Sequence, residues 1–386
     1  HSMNATLDPK RTARSQPSDA AVESFAVPTW MHWLSGWQHK HRDSAIGLGN
    51  FDTRLAEDAI AQVDIKAPIY VAGLARSGTT ILLELLAEHA DVSTHQYRDY
   101  PPVMTPWLWD RWLSRVPESK EDAKERAHGD GISVTSRSPE AFEEVLWMAF
   151  FPDTHNPSRS NVLNETTKHP QFETFYREHI RKLLAIRGGS RYVAKGNYNL
   201  MRLEYLLKLF PDARFLLPIR DPVWHIASLM KQQTLFEAGE QAHPRSLEHM
   251  RRVGHFEFGL DRRPMHTGDD DAIREVQDLW KNGREVEGWA KYWAMVYTTV
   301  ANQLDASPAL HRACQVIRYE ALCKHSEQVL NAAYAHCELE VDAPVIHAAA
   351  ARLKLPDYYQ PAFEASELDL IRRITWPTAA RFGYTD

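Results

Sequence analysis

The chain has 386 residues, of which 25% are charged, and its 45 basic and 51 acidic side chains give a net charge of −6. This composition is that of a globular protein long enough for one large domain or two. The acidic excess argues against a general nucleic-acid-binding protein, which would need a surplus of basic residues. The sequence contains no run of about 18 apolar residues, so we expect no transmembrane segment.

The cysteines, Cys314, Cys323 and Cys337, all fall late in the chain and form no C-x-x-C pair. Thiols in such a pattern are typical of a reducing compartment, so we expect a cytoplasmic protein without disulfides. The histidines between residues 243 and 266 lack the spacing of zinc ligands, and the sequence therefore predicts no metal site.

The N-terminal part of the chain, residues 1–65, is predicted to be an extension that is partly disordered and then helical. Residues 3–27 are polar and lack the apolar core of a signal peptide, whereas residues 55–63 have the pattern of a helix. We expect this extension to pack on a main domain that spans residues 66–386.

From residue 66 onwards, apolar runs with strand character alternate with helical patterns. The predicted strands are residues 68–72, 92–95, 191–195, 214–219 and 316–320. The predicted helices are residues 79–89, 139–150, 170–187, 199–209, 276–304, 326–336 and 342–353. The polar residues 232–275 are predicted to be mostly irregular. This alternation predicts an α/β fold, a three-layer sandwich in which helices flank a central parallel sheet.

Residues 73–80, with the sequence GLARSGTT, lie between the first strand and the first helix of this domain. A glycine-bounded turn that opens a helix binds anions, because backbone N–H groups and the positive end of the helix dipole meet there. Gly73 and Gly78 have the five-residue spacing of the nucleotide-binding P-loop, but Thr79 stands where that motif has lysine. The positive side chain lies inside the loop instead, at Arg76. The loop therefore predicts a P-loop-like phosphate site, but not that of an ATP or GTP hydrolase.

The segment RSGTT at residues 76–80 resembles the 5′-phosphosulfate loop of sulfotransferases that use 3′-phosphoadenosine-5′-phosphosulfate (PAPS), and the tail is similar to that of bacterial members. This resemblance implies in-line transfer of a sulfuryl group to an acceptor hydroxyl or amine, with adenosine 3′,5′-bisphosphate as the product and without a metal. The 5′ end of the donor would be bound by Arg76, Ser77, Gly78, Thr79 and Thr80. Arg76 would also stabilise the charge that develops on the departing oxygen.

The proton of the acceptor must be taken by a general base, for which the chain offers several candidates. In some branches the base is a glutamate that follows the second strand. Asp99 falls closest to that position, and His95 lies just before it. A histidine has a suitable resting pKa, whereas an aspartate would need desolvation to raise its own pKa. Glu144, near the start of the predicted helix 139–150, is the third candidate. Asp99 is preferred, followed by His95.

A short predicted strand, residues 191–195, ends at Lys195, which matches the lysine that contacts the reacting sulfate in cytosolic sulfotransferases. In those enzymes a histidine two residues later acts as the base, but this chain has Asn197 there. Asparagine cannot take a proton at neutral pH, so the base must come from another part of the chain.

The segment from Arg214 to Ser228 supplies the second half of the predicted donor site. Residues 214–219 predict a strand, and Asp221 caps the helix that follows. Arg220 thus lies at the carboxyl end of a strand, where open α/β sheets bind ligands, and Ser228 lies about two helical turns further on. In the family an arginine and a serine at this spacing hold the 3′-phosphate. Pro218 cannot donate to a strand ladder, so the last residues of this strand are expected to be irregular.

The acceptor is not identified by the sequence. The many aromatic residues between positions 100 and 151 suit a lipid or phenol and also stack on sugars, so the expected partner is a small-molecule, lipid or glycan acceptor. No nucleic-acid partner is expected, and a homo-oligomer remains open. Two alternatives are a P-loop nucleotide kinase or hydrolase, which Thr79 disfavours, and a non-catalytic nucleotide-binding protein, which Asn197 favours.

Overall fold

The computed structural model describes residues 16–117, 124–125, 133–134, 136–137, 139–353, 355 and 361–385. The strands in these residues are β1 (Ile69–Val71), β2 (Val92–Ser93), β3 (Lys124–Glu125), β4 (Ser133–Val134), β5 (Arg191–Lys195), β6 (Arg214–Ile219) and β7 (Cys314–Arg318). Two 3₁₀ turns, at Tyr97–Asp99 and Asn197–Met201, follow β2 and β5.

The helices of the described residues lie between Asp19 and Arg381. In the first half they are α1 (Asp19–Glu23), α2 (Thr29–Lys40), α3 (Arg42–Leu55), α4 (Glu57–Ile60), α5 (Thr79–Ala87), α6 (Pro106–Leu113), α7 (Glu144–Phe150) and α8 (Pro170–Arg187). In the second half they are α9 (Leu203–Leu209), α10 (Pro222–Ala242), α11 (Pro244–Val253), α12 (Asp270–Lys281), α13 (Glu285–Ala306), α14 (Pro308–Ala313), α15 (Tyr319–Lys324), α16 (Ser326–His336), α17 (Ala343–Ala351) and α18 (Ala365–Arg381). In the described part of the chain, none of these helices is long and apolar enough to span a lipid bilayer.

Five of the strands form one sheet, in the order β2-β5-β1-β6-β7, and every pair in it is parallel. Because the strands are parallel, the segments that follow β1, β5 and β6 leave the sheet at the same edge. The two short strands β3 and β4 pair separately and antiparallel. The predicted α/β fold with a central parallel sheet is confirmed.

The central strand β1 is buried on both faces, as expected for a parallel sheet covered by helices. Ile69 and Val71 contribute to one apolar core, whereas Tyr70 and Ala72 contribute to the other, because successive side chains point to opposite faces. The helices therefore form a layer on each side of the sheet.

Strand β6 remains regular through Pro218, contrary to the irregular end that we expected. Its pairing with β7 continues from Phe215 to Ile219. The nitrogen of Pro218 faces β1, whose last paired residue, Val71, lies opposite Leu216. The last bond between these two strands runs from the N–H of Ala72 to the carbonyl of Leu216 (3.0 Å), so this ladder ends where Pro218 offers no N–H.

Several of the predicted secondary-structure bounds were wrong. Residues 232–275 are largely helical rather than irregular, because α10 extends to Ala242 and α11 follows it. The predicted helix 276–304 is two helices, since Gly283 adopts a left-handed conformation (φ +74°) between α12 and α13. The helix expected at 139–150 begins only at Glu144, because Pro139 forms a bridge with Gln96 instead.

The N-terminal helices α1–α4 pack on the main domain. Asp52 of α3 accepts a hydrogen bond from Lys182 of α8 in the main domain (2.9 Å), and both side chains are fully buried. Residues 1–15, part of the stretch expected to be disordered, lie outside the described residues. The boundary at residue 65 stays a prediction.

Candidate functional site

Hydrogen bonds within the loop and from buried side chains fix the conformation of the loop between β1 and α5. Ser77 Oγ donates to the carbonyl of Leu74 (2.7 Å), and the hydroxyl of Tyr297 accepts the N–H of the same residue (3.2 Å). The carbonyl of Ala75 accepts a hydrogen bond from His225 Nε2 (2.7 Å). The loop carbonyls are thus directed into the protein, which suits a loop whose amide side receives an anion.

The imidazole of His225 is a neutral support for the loop. Trp293 Nε1 donates to its Nδ1 (3.0 Å), so its Nε2 carries the hydrogen that Ala75 accepts. Burial, together with the nearby charges of Arg220 and Arg76, lowers the pKa of His225 to about 3. Trp293 belongs to the apolar core, and it also fixes the tautomer of a histidine that the sequence gave no reason to single out.

Side chains along the loop alternate between the cleft and the interior. Arg76, Gly78 and Thr80 are half-buried, whereas Ser77 and Thr79 are buried. The first turn of α5 begins directly after Gly78, and its amide groups have no partner within the helix. Arg76 and Thr80 are therefore the loop side chains placed to reach a bound anion. Ser77 instead bonds to the loop backbone at Leu74 and stabilises the loop conformation.

The two predicted halves of the donor site lie in contact. Arg76 Nε donates to Ser228 Oγ (3.2 Å), although the two residues are 152 positions apart in the chain. Arg220 Nη1 donates to the carbonyl of Arg76 (3.2 Å), and its guanidinium lies over the ring of Tyr319, 4.9 Å from the centroid. Arg220 and Ser228 are both buried. The P-loop-like turn thus contacts both the end of β6 and the helix that follows it.

Further cations surround the N-terminus of α5. Lys195 Nζ, at the end of β5, donates to Thr80 Oγ1 (3.0 Å). Lys231 lies on α10, less than one turn beyond Ser228, and burial and the charge of Arg76 lower its pKa. With Arg76 and Arg220, these residues make a positively charged edge that matches a ligand with several negative groups. The sequence indicated Lys195 and Arg220, but it gave no signal for Lys231.

The two preferred candidates for the base are engaged elsewhere. Both carboxylate oxygens of Asp99 accept from Arg187 Nη2 (2.5 and 2.6 Å), and one also accepts the N–H of Gln96 (2.7 Å). His95 is buried, with its Nε2 2.9 Å from Nε2 of His179, and burial lowers its pKa to about 4. These contacts stabilise the segment after β2. The catalytic role assigned to either residue stays a prediction.

Glu144 is also tied into the protein interior. Its carboxylate accepts hydrogen bonds from Arg202 (2.7 and 2.9 Å) and pairs with His155 (2.6 Å). Burial would raise the pKa of Glu144, but the charges and hydrogen bonds of Arg202 and His155 outweigh it and lower the pKa to about 2. A carboxylate so firmly ionised is a weak proton acceptor.

The aromatic segment expected to form the acceptor pocket divides into buried and exposed parts. Trp147 is fully buried and packs on Phe172 (centroids 4.5 Å apart), so it belongs to the core. Trp112 is 54% exposed and stacks on Trp109 (4.7 Å). Tyr100, Phe142 and Phe150 belong to the same core, so these aromatic side chains stabilise the fold.

We expect Gly78→Ala to destabilise the protein more than Gly188→Ala. Both glycines have positive φ (+105° and +79°), which costs a side chain roughly 1–2 kcal/mol. A Cβ at Gly78 would also lie 2.9 Å from the ring of Tyr319, whereas a Cβ at Gly188 would meet no atom within 4 Å. Denaturant unfolding of both variants measures the difference. Equal losses would mean that Tyr319 does not close over the loop.

Comparison with known proteins gave a match to one family. The sequence profile described as the sulfotransferase family matches residues 68–263, just over half of the chain. No curated protein matches.

Among solved structures, sulfotransferase STF9 from Mycobacterium avium is 14% identical, with 96% of this chain and 93% of that chain covered and a TM-score of 0.49. Sulfotransferase STF1 from Mycobacterium tuberculosis H37Rv is 14% identical, with coverages of 95% and 89% and a TM-score of 0.44. A sulfotransferase from Alicyclobacillus acidocaldarius is 16% identical, with coverages of 82% and 94% and a TM-score of 0.38.

Proposed function

Because the chain belongs to the sulfotransferase family, we propose that it transfers a sulfuryl group from PAPS to a hydroxyl or amine of a small-molecule, lipid or glycan acceptor. The observation that carries this proposal is the hydrogen bond between Arg76 and Ser228. It joins the loop suited to a 5′-phosphosulfate to the helix suited to a 3′-phosphate, and PAPS carries both groups on one adenosine.

The residues at the site fit such a donor. Arg220 and Ser228 would hold the 3′-phosphate, for which the planar guanidinium of arginine is well suited. The first amides of α5, with Arg76 and Thr80, would hold the 5′ end. The positive charges around the loop supply what a metal ion supplies in many phosphoryl-transfer enzymes, and the proposed reaction therefore requires no metal.

Lys195 and Arg76 would act on the oxygen that bridges the sulfur and the 5′-phosphate. As the acceptor attacks, negative charge moves to that oxygen, and a cation fixed beside it stabilises the transition state more than the ground state. Because Lys195 contacts Thr80, its ammonium lies at the N-terminus of α5, where this charge would develop.

Calorimetry tests the donor site without an identified acceptor. We expect adenosine 3′,5′-bisphosphate to bind in the presence of EDTA, and adenosine 5′-monophosphate to bind at least about tenfold more weakly, since it lacks the charge-assisted bonds of the 3′-phosphate. If the bisphosphate did not bind and ATP bound only with Mg²⁺, the chain would instead be a P-loop kinase or hydrolase.

Transfer of labelled sulfate separates an enzyme from a non-catalytic binding protein. Donor labelled in the sulfuryl group is incubated with a panel of phenols, alcohols and glycans, and labelled products are separated. Any labelled product supports the enzyme. Binding of the bisphosphate without turnover of the donor, even by water, favours the non-catalytic alternative.

A further inference from the structure

Asn197 occupies the position at which the resemblance to cytosolic sulfotransferases places a catalytic histidine. It follows Lys195 by two residues and begins the 3₁₀ turn at the carboxyl edge of the sheet. Its side-chain amide is buried, and Nδ2 donates to Oε1 of Glu257 at 2.6 Å. A carboxylate is therefore brought to the position where the sequence lacks a proton acceptor.

Glu257 lies in the segment between α11 and α12, and its side chain is 11% exposed. His255 Nε2 is 3.2 Å from Oε2 of Glu257, on the opposite oxygen from Asn197. The carboxylate is thus held from both sides, while lone pairs on each oxygen remain for a further hydrogen bond.

The backbone around Glu257 is fixed by side chains from the 3₁₀ turn after β5 and from α10. The N–H of Phe256 donates to the hydroxyl of Tyr198 (2.9 Å), and the N–H of Gly259 donates to Gln233 (2.9 Å). Leu260 N–H donates to Glu240 (2.8 Å). A proton acceptor must be held within a fraction of an ångström of its productive position, and these bonds restrict Glu257 in that way.

A second observation at the same place is a buried acceptor atom without a partner among the described residues. Since Nδ2 of Asn197 is directed to Glu257, its Oδ1 is an acceptor, and it is buried without a hydrogen-bond partner among the described residues. Leaving such an oxygen unsatisfied costs about 1–3 kcal/mol. A donor group of a bound acceptor, such as a second N–H of an amine or a neighbouring hydroxyl, would satisfy it.

We infer that Glu257 is the general base of the reaction and that Asn197 positions it, an inference that rests on the proposed sulfuryl transfer. Glu257 takes the proton from the acceptor oxygen or nitrogen as that atom forms its bond to sulfur. The bond between sulfur and the bridging oxygen breaks, and its electron pair leaves on the 5′-phosphate of adenosine 3′,5′-bisphosphate. The charge of the carboxylate is neutralised by the proton, and the electrons balance without a further reactant.

The test uses Glu257→Gln in the full chain, with phenol and with a nitrophenol that is already ionised at the assay pH as acceptors. Transfer to phenol should fall by about 10²–10⁴-fold, because its proton must be removed, and transfer to the nitrophenolate by less than about tenfold. Hydrolysis of the donor, with water as the nucleophile, should fall as it does with phenol. Affinity for the bisphosphate should not change.

The matched control is Glu57→Gln. Glu57 is an exposed residue of α4 and lies outside the segment that carries Glu257, so the same change of carboxylate to amide is made away from the site. This variant should transfer to both phenols as the wild type does. Equal losses with phenol and nitrophenolate in Glu257→Gln, or no loss, would overturn the role of Glu257. Failure of the proposed function would instead appear in the wild type, as absent bisphosphate binding and no turnover of the donor.

Discussion

Replacing Arg220 with alanine should weaken the binding of adenosine 3′,5′-bisphosphate by about 2–5 kcal/mol, which is roughly 30- to 5,000-fold. Arg220 is 5% exposed, and its guanidinium lies over the ring of Tyr319 and donates to the carbonyl of Arg76. A charge held in this way loses little freedom when it binds a phosphate, so its contribution is large. Calorimetric titration with the bisphosphate measures the loss.

Two variants separate the role of Arg220 in binding from its support of the loop. Arg220→Lys keeps the charge but not the planar fork, and its affinity should lie between those of the wild type and the alanine variant. Arg177→Ala removes another arginine that lies over an aromatic ring, that of Phe210, but belongs to α8. It should leave nucleotide affinity unchanged. A folded Arg220→Ala protein with wild-type affinity would contradict the assignment of the 3′-phosphate site.

Local patterns are enough to predict each half of the proposed donor site, because each half consists of neighbouring residues. A strand, a glycine turn and a helix start are contiguous at residues 69–87, and so are β6, Arg220 and the cap at Asp221. The parallel sheet then brings the two segments to one edge, as its topology requires. The hydrogen bond from Arg76 to Ser228 could be anticipated from this rule, although no spacing in the sequence encodes it.

The carboxylate beside Asn197 could not be found in the same way. Glu257 lies 60 residues from Asn197, in the polar stretch 232–275 that was predicted to be mostly irregular. That prediction was wrong over α10 and α11, where polar residues such as Gln233 and Glu240 are buried and bind the backbone of residues 259–260. A helix with buried polar residues lacks the apolar period from which helices are recognised.

The buried pair of Asp52 and Lys182 should be among the most sensitive positions for stability. Asp52→Ala leaves the ammonium of Lys182 buried without its counter-charge, and it removes the acceptor for the N–H groups of Trp107 and Leu108 at the start of α6. Breaking such a pair costs about 3–5 kcal/mol. Burial lowers the pKa of Lys182, whereas the charge of Asp52 raises it. Removal of Asp52 therefore favours the neutral amine of Lys182.

A double-mutant cycle distinguishes this pair from a general effect of substitution. Lys182→Met removes the charge, so adding Asp52→Ala to it should cost less than Asp52→Ala alone, with a coupling of roughly 0.5–3 kcal/mol. Asp58→Ala, at an exposed position of α4, should change the free energy of unfolding by less than about 0.5 kcal/mol. Denaturant unfolding measures each term. A loss below about 1 kcal/mol for Asp52→Ala would mean that α3 is not part of the cooperative unit, because a buried charge pair within that unit cannot lose one partner at so small a cost.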